Sequence, residues 1–173
     1  MMAHVTPHRT PPGPLDTAAA DALWREYAAA HPEAVAAGDA YAVDRLGGCV
    51  ERGDELLGLV RHGGRRATAE LVAELVHRGE ALPRVGAHRV ACDGRGAPRL
   101  VLRTVELRIA TFREVDADFA FDEAEDDRSL LRWRERHRAA WERTCAARGA
   151  VWGEQDEIVL ERFRVVWPPE AAD

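Results

Sequence analysis

Hydrophobic positions along the chain change period repeatedly, and each change marks a new element. From Asp16 to Ala30, Leu23, Trp24 and Tyr27 recur at helical spacing among alanines. Asp16 or Thr17 is placed to cap that helix and His31-Pro32 to end it. Trp24 on the stripe reads as a core anchor. Ala40 to Val43 suits a short strand, and Leu46-Gly47-Gly48-Cys49 a turn. Leu56, Leu57, Leu59 and Val60 then predict a helix opened by Asp54 and closed by Gly63-Gly64. Leu71, Val72, Leu75 and Val76 predict a second helix, with Thr68 as its N-cap. On this reading Arg65 and Arg66 lie in a glycine-started loop at a helix N-terminus, where unpaired N–H groups favour an anion.

From Ala87 the period shortens. His88 to Cys92 predicts a strand, Asp93-Gly94-Arg95-Gly96 a hairpin turn, and about Arg99 to Phe112 the returning strand. Within it Val105, Leu107 and Ile109 alternate with Thr104, Glu106 and Arg108, predicting one buried and one wet face. Phe112 to Asp127 is acidic and reads as a solvated, turn-rich segment. A helix follows from about Ser129 to Arg148, carrying Trp133, His137, Trp141 and Cys145 at steps of four. His137 on that stripe reads as a core histidine. Gly149 stops the helix, and a last strand runs from about Glu157 to Trp167, halted by Pro168-Pro169. Helices first, then strands broken by one long helix, imply an α+β fold with a small, mostly antiparallel sheet or barrel.

Size and composition narrow the functional classes. At 173 residues, one domain over residues 16–169 is the expectation, after a proline-rich leader over 1–15 without the apolar core of a signal peptide. No apolar run reaches the length of a membrane span, so a cytoplasmic protein is expected. Cys49, Cys92 and Cys145 have no paired spacing and are expected as buried free thiols. The histidines show no metal-ligand spacing, so neither metal nor cofactor is assigned. The net charge of -6 argues against a surface that coats nucleic acid, though not against a small basic pocket. Walker, GxSxG, HExxH and dinucleotide-binding motifs are all absent, and Ser129, the only serine, falls in the first turn of a helix. What remains is a basic loop, Arg65 to Thr68, and an acidic turn, Glu123 to Asp127. Brought together, they would suit a nucleobase, or a phosphate beside one.

Seven stretches in order give these residues a family likeness. They are Asp54 to Ala69 with its Gly63-Gly64-Arg65-Arg66-Ala67-Thr68 loop, Leu82 to Gly86, Cys92 to Pro98, Arg103 to Glu106, Glu125 to Leu130, Trp133-Arg134, and Glu161 to Val166. Together they resemble an ASCH domain of the PUA-like superfamily, similar to the longer bacterial members, over a core of about residues 41–167. The helix around Trp24 resembles their N-terminal extension. The resemblance implies a small β-barrel with flanking helices and a cleft that takes RNA or a modified nucleoside. The site it implies is Gly63, Gly64, Arg65, Arg66, Thr68, Glu123, Glu125 and Ser129.

Some relatives are amidohydrolases of N4-acetylcytidine using a lysine, a threonine and a glutamate; others act as ribonucleases. By position these fall on Arg65, Thr68 and Glu125, with Glu123 a near alternative. Arg65 departs from the lysine, and an arginine with a pKa above about 12 cannot surrender a proton. Asp44 to Gly48 also replaces an aromatic-rich stretch of the longer members. The leading expectation is therefore a binding domain acting as monomer or homodimer. A metal-independent hydrolase is the first alternative. A protein-interaction module docking through the Trp133–Trp141 helix is the second.

Overall fold

The computed structural model describes residues 10–36, 38 and 40–173. Of the expected leader, residues 1–9 lie outside the described residues. Thr10 to Leu15 form no regular element, and the Thr10 N–H donates to the Glu51 carboxylate at 3.1 Å. The elements number six α-helices and five strands among the described residues, an α+β chain. They fall into two compact units: residues 1–58, 88–102 and 166–172, and residues 59–87, 103–165 and 173.

The first unit is built on helix α1, Thr17–Ala30, whose cap Asp16 accepts the Ala19 N–H at 2.9 Å. Helix α2, Pro32–Val35, follows it, then strand β1, Tyr41–Arg45. β1 pairs in parallel with β3, His88–Cys92, and β3 turns back into the first half of β4, Pro98–Ala110. Ala20, Trp24, Tyr27, Val90 and Val101 form the core, so Trp24 is the anchor its stripe implied. Trp24 stacks on Tyr41 with ring centroids 4.6 Å apart. Helix α3, Val50–His62, begins four residues before the expected start at Asp54. Asp54 instead accepts the Gly94 N–H of the hairpin turn at 2.8 Å, a partner that no local pattern announces.

The second unit holds the end of α3, strand β2 (Ala67–Leu71), helix α4 (Val72–Arg78), the second half of β4, helices α5 (Ala117–Glu123) and α6 (Leu130–Ala147), and strand β5, Ile158–Trp167, up to Val165. Here the strands run β4-β5-β2, with β2 antiparallel to β5 from Ala67↔Arg162 to Leu71↔Ile158. The core gathers Leu71, Phe112, Phe119, Trp133, Trp141, Trp152, Ile158 and Leu160.

Three expectations are corrected in this unit. Thr68 lies within β2 and is no helix cap; α4 starts only at Val72. The strand wins because β5 offers β2 a full antiparallel ladder and the alternation Ala67, Ala69, Leu71 supplies one apolar row. The expected faces of β4 also fail: Thr104 is buried, while Val105 and Ile109 are 41% and 43% exposed beside the exposed Glu106 and Arg108. A hydroxyl can be the inward residue because Thr104 Oγ1 donates to the buried Glu161 carboxylate at 2.6 Å. Finally, residues 117–123 of the acidic segment form a helix capped by Asp116, and Glu123 at its end is not solvated but only 1% exposed.

Candidate functional site

The site grows from the loop between α3 and β2. Gly63 accepts a side-chain hydrogen bond from Arg128, and Gly64 takes a left-handed φ of 74°, a conformation glycine adopts at no steric cost. The Arg65 N–H returns to the Leu59 carbonyl at 3.0 Å. Arg66 N–H bonds the Asp122 carbonyl at 2.8 Å, and its own carbonyl accepts the Phe163 N–H at 2.9 Å. The loop is thus tied to α5 and β5 by backbone bonds, and the Arg65 side chain is directed inward.

Arg65 is 2% exposed. Its Nη1 donates to the Glu123 carbonyl at 2.9 Å and also to Glu125 Oε1. Its Nη2 donates to Glu123 Oε1 at 3.1 Å and to Thr68 Oγ1 at 3.4 Å. One planar fork therefore joins the basic loop, the strand threonine and both carboxylates, a task suited to guanidinium geometry. Arg65 Nε is buried without a partner.

Glu123 is the centre of the cluster. Besides Arg65, Oε1 accepts the Ala69 N–H at 3.1 Å; Oε2 accepts from Trp133 Nε1 and lies 3.2 Å from His137 Nε2. His137 Nδ1 faces the Trp133 carbonyl at 2.9 Å. Both ring nitrogens therefore meet acceptors, which only the doubly protonated imidazolium satisfies. Burial opposes the charge on Glu123, but His137, Arg65 and the donated hydrogen bonds hold its carboxyl down to about 2. Burial likewise opposes the His137 cation, and the Glu123 carboxylate outweighs it, raising the histidine above its ordinary 6.5. The ring stacks on Trp133 at 4.1 Å between centroids.

Glu125 stands at the rim, its side chain 10% exposed, with Oε2 held by Arg136 Nη1 at 2.5 Å. The turn that presents it is unusual. Ala124, Asp126 and Arg128 all have left-handed φ, at 56°, 49° and 62°. Such non-glycine conformations each cost on the order of 1 kcal/mol and persist where surrounding contacts impose them. Here Arg65 and Arg136 grip Glu125, and Arg128 bonds the Gly63 carbonyl.

The sequence profile of the ASCH domain matches residues 44–167. The chain belongs to the ASCH domain family. Among solved structures, an ASCH domain from Lactobacillus crispatus JV V101 superposes with a TM-score of 0.80 at 26% identity, covering 87% of this chain and 96% of that one. Protein EF3133 from Enterococcus faecalis V583 shares the fold with a TM-score of 0.75 at 23% identity, over 86% of this chain and 88% of that one. A comparison with curated proteins finds no match. The ASCH family is generally linked to RNA binding.

Within this ASCH domain, Arg65, Thr68, Glu123 and Glu125 come together, two segments that sequence alone could not place side by side. Arg66 does not join them; its guanidinium pairs with the Asp173 carboxylate and bonds the Val60 carbonyl at 2.8 Å. Ser129 caps α6, its Oγ accepting the Arg132 N–H at 3.2 Å. Gly63 and Gly64 shape the loop.

Three partners of the carboxylates are not among the residues the sequence points to as the site: His137, which reads as a core histidine, Trp133 on the same stripe, and Arg136. Their signal was positional, because a step of four on α6 puts Trp133 and His137 on one face. The interaction-helix alternative loses its expected contact face, since Trp133 and Trp141 are both buried in the core.

Proposed function

We propose that this ASCH domain binds RNA or a modified nucleoside at the Thr68–Glu125–Arg136 rim, with Arg65, Glu123 and His137 as its rigid charged frame. The observation that carries the reading is Arg65 itself, whose fork joins Thr68 and both carboxylates. A carboxylate held in this way accepts from an exocyclic amine or ring N–H of a base, and Arg136 donates to a carbonyl or phosphate. Because the chain carries a net charge of -6, recognition rests on base edges in a small site and not on extended backbone contacts.

The same geometry disfavours turnover. Glu123 is held as an anion against the His137 ring, whose two nitrogens both face acceptors, and Arg65 exchanges no proton. Glu125, the remaining candidate base, has both oxygens engaged by arginines. Titration calorimetry with short RNAs and with cytidine, N4-acetylcytidine and other modified nucleosides tests the reading. Binding weakened at least about tenfold by Glu125→Gln is expected. No binding by folded wild type, or binding indifferent to Glu125→Gln and Arg136→Ala, refutes it. Hydrolysis of N4-acetylcytidine above the buffer rate by wild type would instead establish the amidohydrolase alternative. Turnover appearing only in Arg65→Lys would mark a binder in which lysine chemistry has been lost.

A further inference from the structure

The alternation Val105, Leu107, Ile109 asks for burial that the chain does not supply. Val105 and Ile109 are 41% and 43% exposed, and Val85, one residue from the backbone that bonds Thr104, is 64% exposed. The cause is topological. The Asp93 N–H bonds the Ala97 carbonyl, so β3 pairs back onto the start of β4. The last bonds on that side run from Thr104 N–H to Ala87 O at 2.9 Å and from Gly86 N–H to Thr104 O at 2.8 Å. Past Thr104, among the described residues, β4 has β5 as its only strand neighbour. The second half of β4 is thus an edge, and an edge of alternating apolar residues is a template for another strand.

Which groups this edge offers follows from period two. Thr104 directs its N–H and C=O toward the β3 side, so Glu106 and Arg108 direct theirs the same way, while Val105, Leu107 and Ile109 bond toward β5. An antiparallel partner must form its closely bonded pairs between residues that point outward. For a second copy of this chain, the two-fold centres at Glu106, Leu107 and Arg108 satisfy that condition and involve the charged pair. A centre at Glu106 sets two glutamates face to face, and one at Arg108 sets two arginines. A centre at Leu107 bonds each Glu106 to the other copy's Arg108. It also stacks Val105 on Ile109 twice and Leu107 on its counterpart, all on one face. Opposite charges directly across a ladder stabilise it and like charges destabilise it, so the charges of 105–109 select this register.

We propose that the chain forms a two-fold dimer through antiparallel pairing of its β4 edges, centred on Leu107. The interface is isologous and closed, so it ends at two copies. Within one copy Glu106 pairs with the half-buried Arg162, which Asp122 also holds, and Arg108 pairs with Asp116 between exposed side chains, a contact of the kind that exchanges at little cost.

Sedimentation equilibrium on the full chain tests this. The expected mass is twice 19.1 kDa, and Leu107→Arg gives a folded monomer. Glu106→Arg and Arg108→Glu each weaken the dimer at least about tenfold, since each turns two attractive pairs into repulsive ones. The double variant Glu106→Arg with Arg108→Glu restores it, because the swap preserves complementarity across the axis. A role confined to the Arg162 and Asp116 pairs would not be rescued by that swap. A wild type that stays at 19.1 kDa at every concentration overturns the proposal. So does a dimer that Leu107→Arg leaves intact, or one that the double variant fails to restore.

Discussion

Replacing Glu123 by Gln keeps the shape of the side chain and removes its charge, which isolates the electrostatic role of the buried carboxylate. Two independent routes give the cost. Wild-type Glu123 is held at about 2 against an ordinary 4.5; at about 1.4 kcal/mol for each pH unit, that preference for the folded anion is worth about 3 kcal/mol. Counting bonds gives a similar figure. A glutamine oxygen in place of Oε1 still accepts from Arg65 and Ala69, but its amide group then confronts the donors Trp133 Nε1 and His137 Nε2. Two hydrogen bonds to a charged acceptor, each contributing about 1.5 kcal/mol, are lost.

The assay is urea unfolding of both proteins at pH 6 and pH 3, followed by tryptophan fluorescence. At pH 6 the variant is expected to be less stable by about 3 kcal/mol, with an unchanged denaturant slope. A group whose folded pKa is depressed contributes fully above its unfolded value and loses that contribution as pH falls toward the folded one. The gap should therefore shrink by about half at pH 3. A gap below about 1 kcal/mol at pH 6, or one that is equal at the two pH values, would refute the ionised-carboxylate account.

Three further outcomes follow from the same structure. The Glu123–His137 pair should stabilise the protein most between about pH 4.5 and 6.5, since the Glu123 contribution fades below that window and the His137 contribution fades above it, as pH rises through the raised histidine pKa. Thermal melts across pH, with His137→Gln abolishing the alkaline limb and shrinking the acid one, check this. Thr104→Val takes the hydroxyl from the buried Glu161 carboxylate, and a loss of about 1–3 kcal/mol in chemical denaturation is expected; a neutral effect would mean that other donors satisfy Glu161. Gly94→Ala should lower the melting temperature sharply, because a Cβ there would overlap the Val50 backbone, which cannot swing aside as a side-chain tip could. Melting within a degree or two of wild type would show that the hairpin turn yields.

Much of the candidate site was legible from residues, but not its arrangement. The Gly63 to Thr68 loop and Glu125 stood out through family resemblance, and Glu123 as a neighbour of the expected glutamate. That Glu123 is the deeper carboxylate was hidden, because an acidic run reads as solvated until its counter-charges are known. Those counter-charges, Arg65 and His137, lie 58 and 14 positions away along the chain. His137 was read as satisfied within the core, and it is; what the stripe could not show was that its partner is a carboxylate.

Sequence alone determined the elements whose partners are local. Asp16 caps α1, α6 begins beside Ser129, and Asp93 to Gly96 reverses β3 into β4 where the turn residues required it. In each case the stabilising contact spans a few residues and so is written in the spacing. Only the tertiary structure decided that Thr68 is a strand residue, that Thr104 points inward, and that Val105 and Ile109 lie on an open edge. Those outcomes depend on which strand lies alongside. A ladder of backbone hydrogen bonds or a buried charge partner from a distant segment outweighs a local propensity of a few tenths of a kcal/mol per residue.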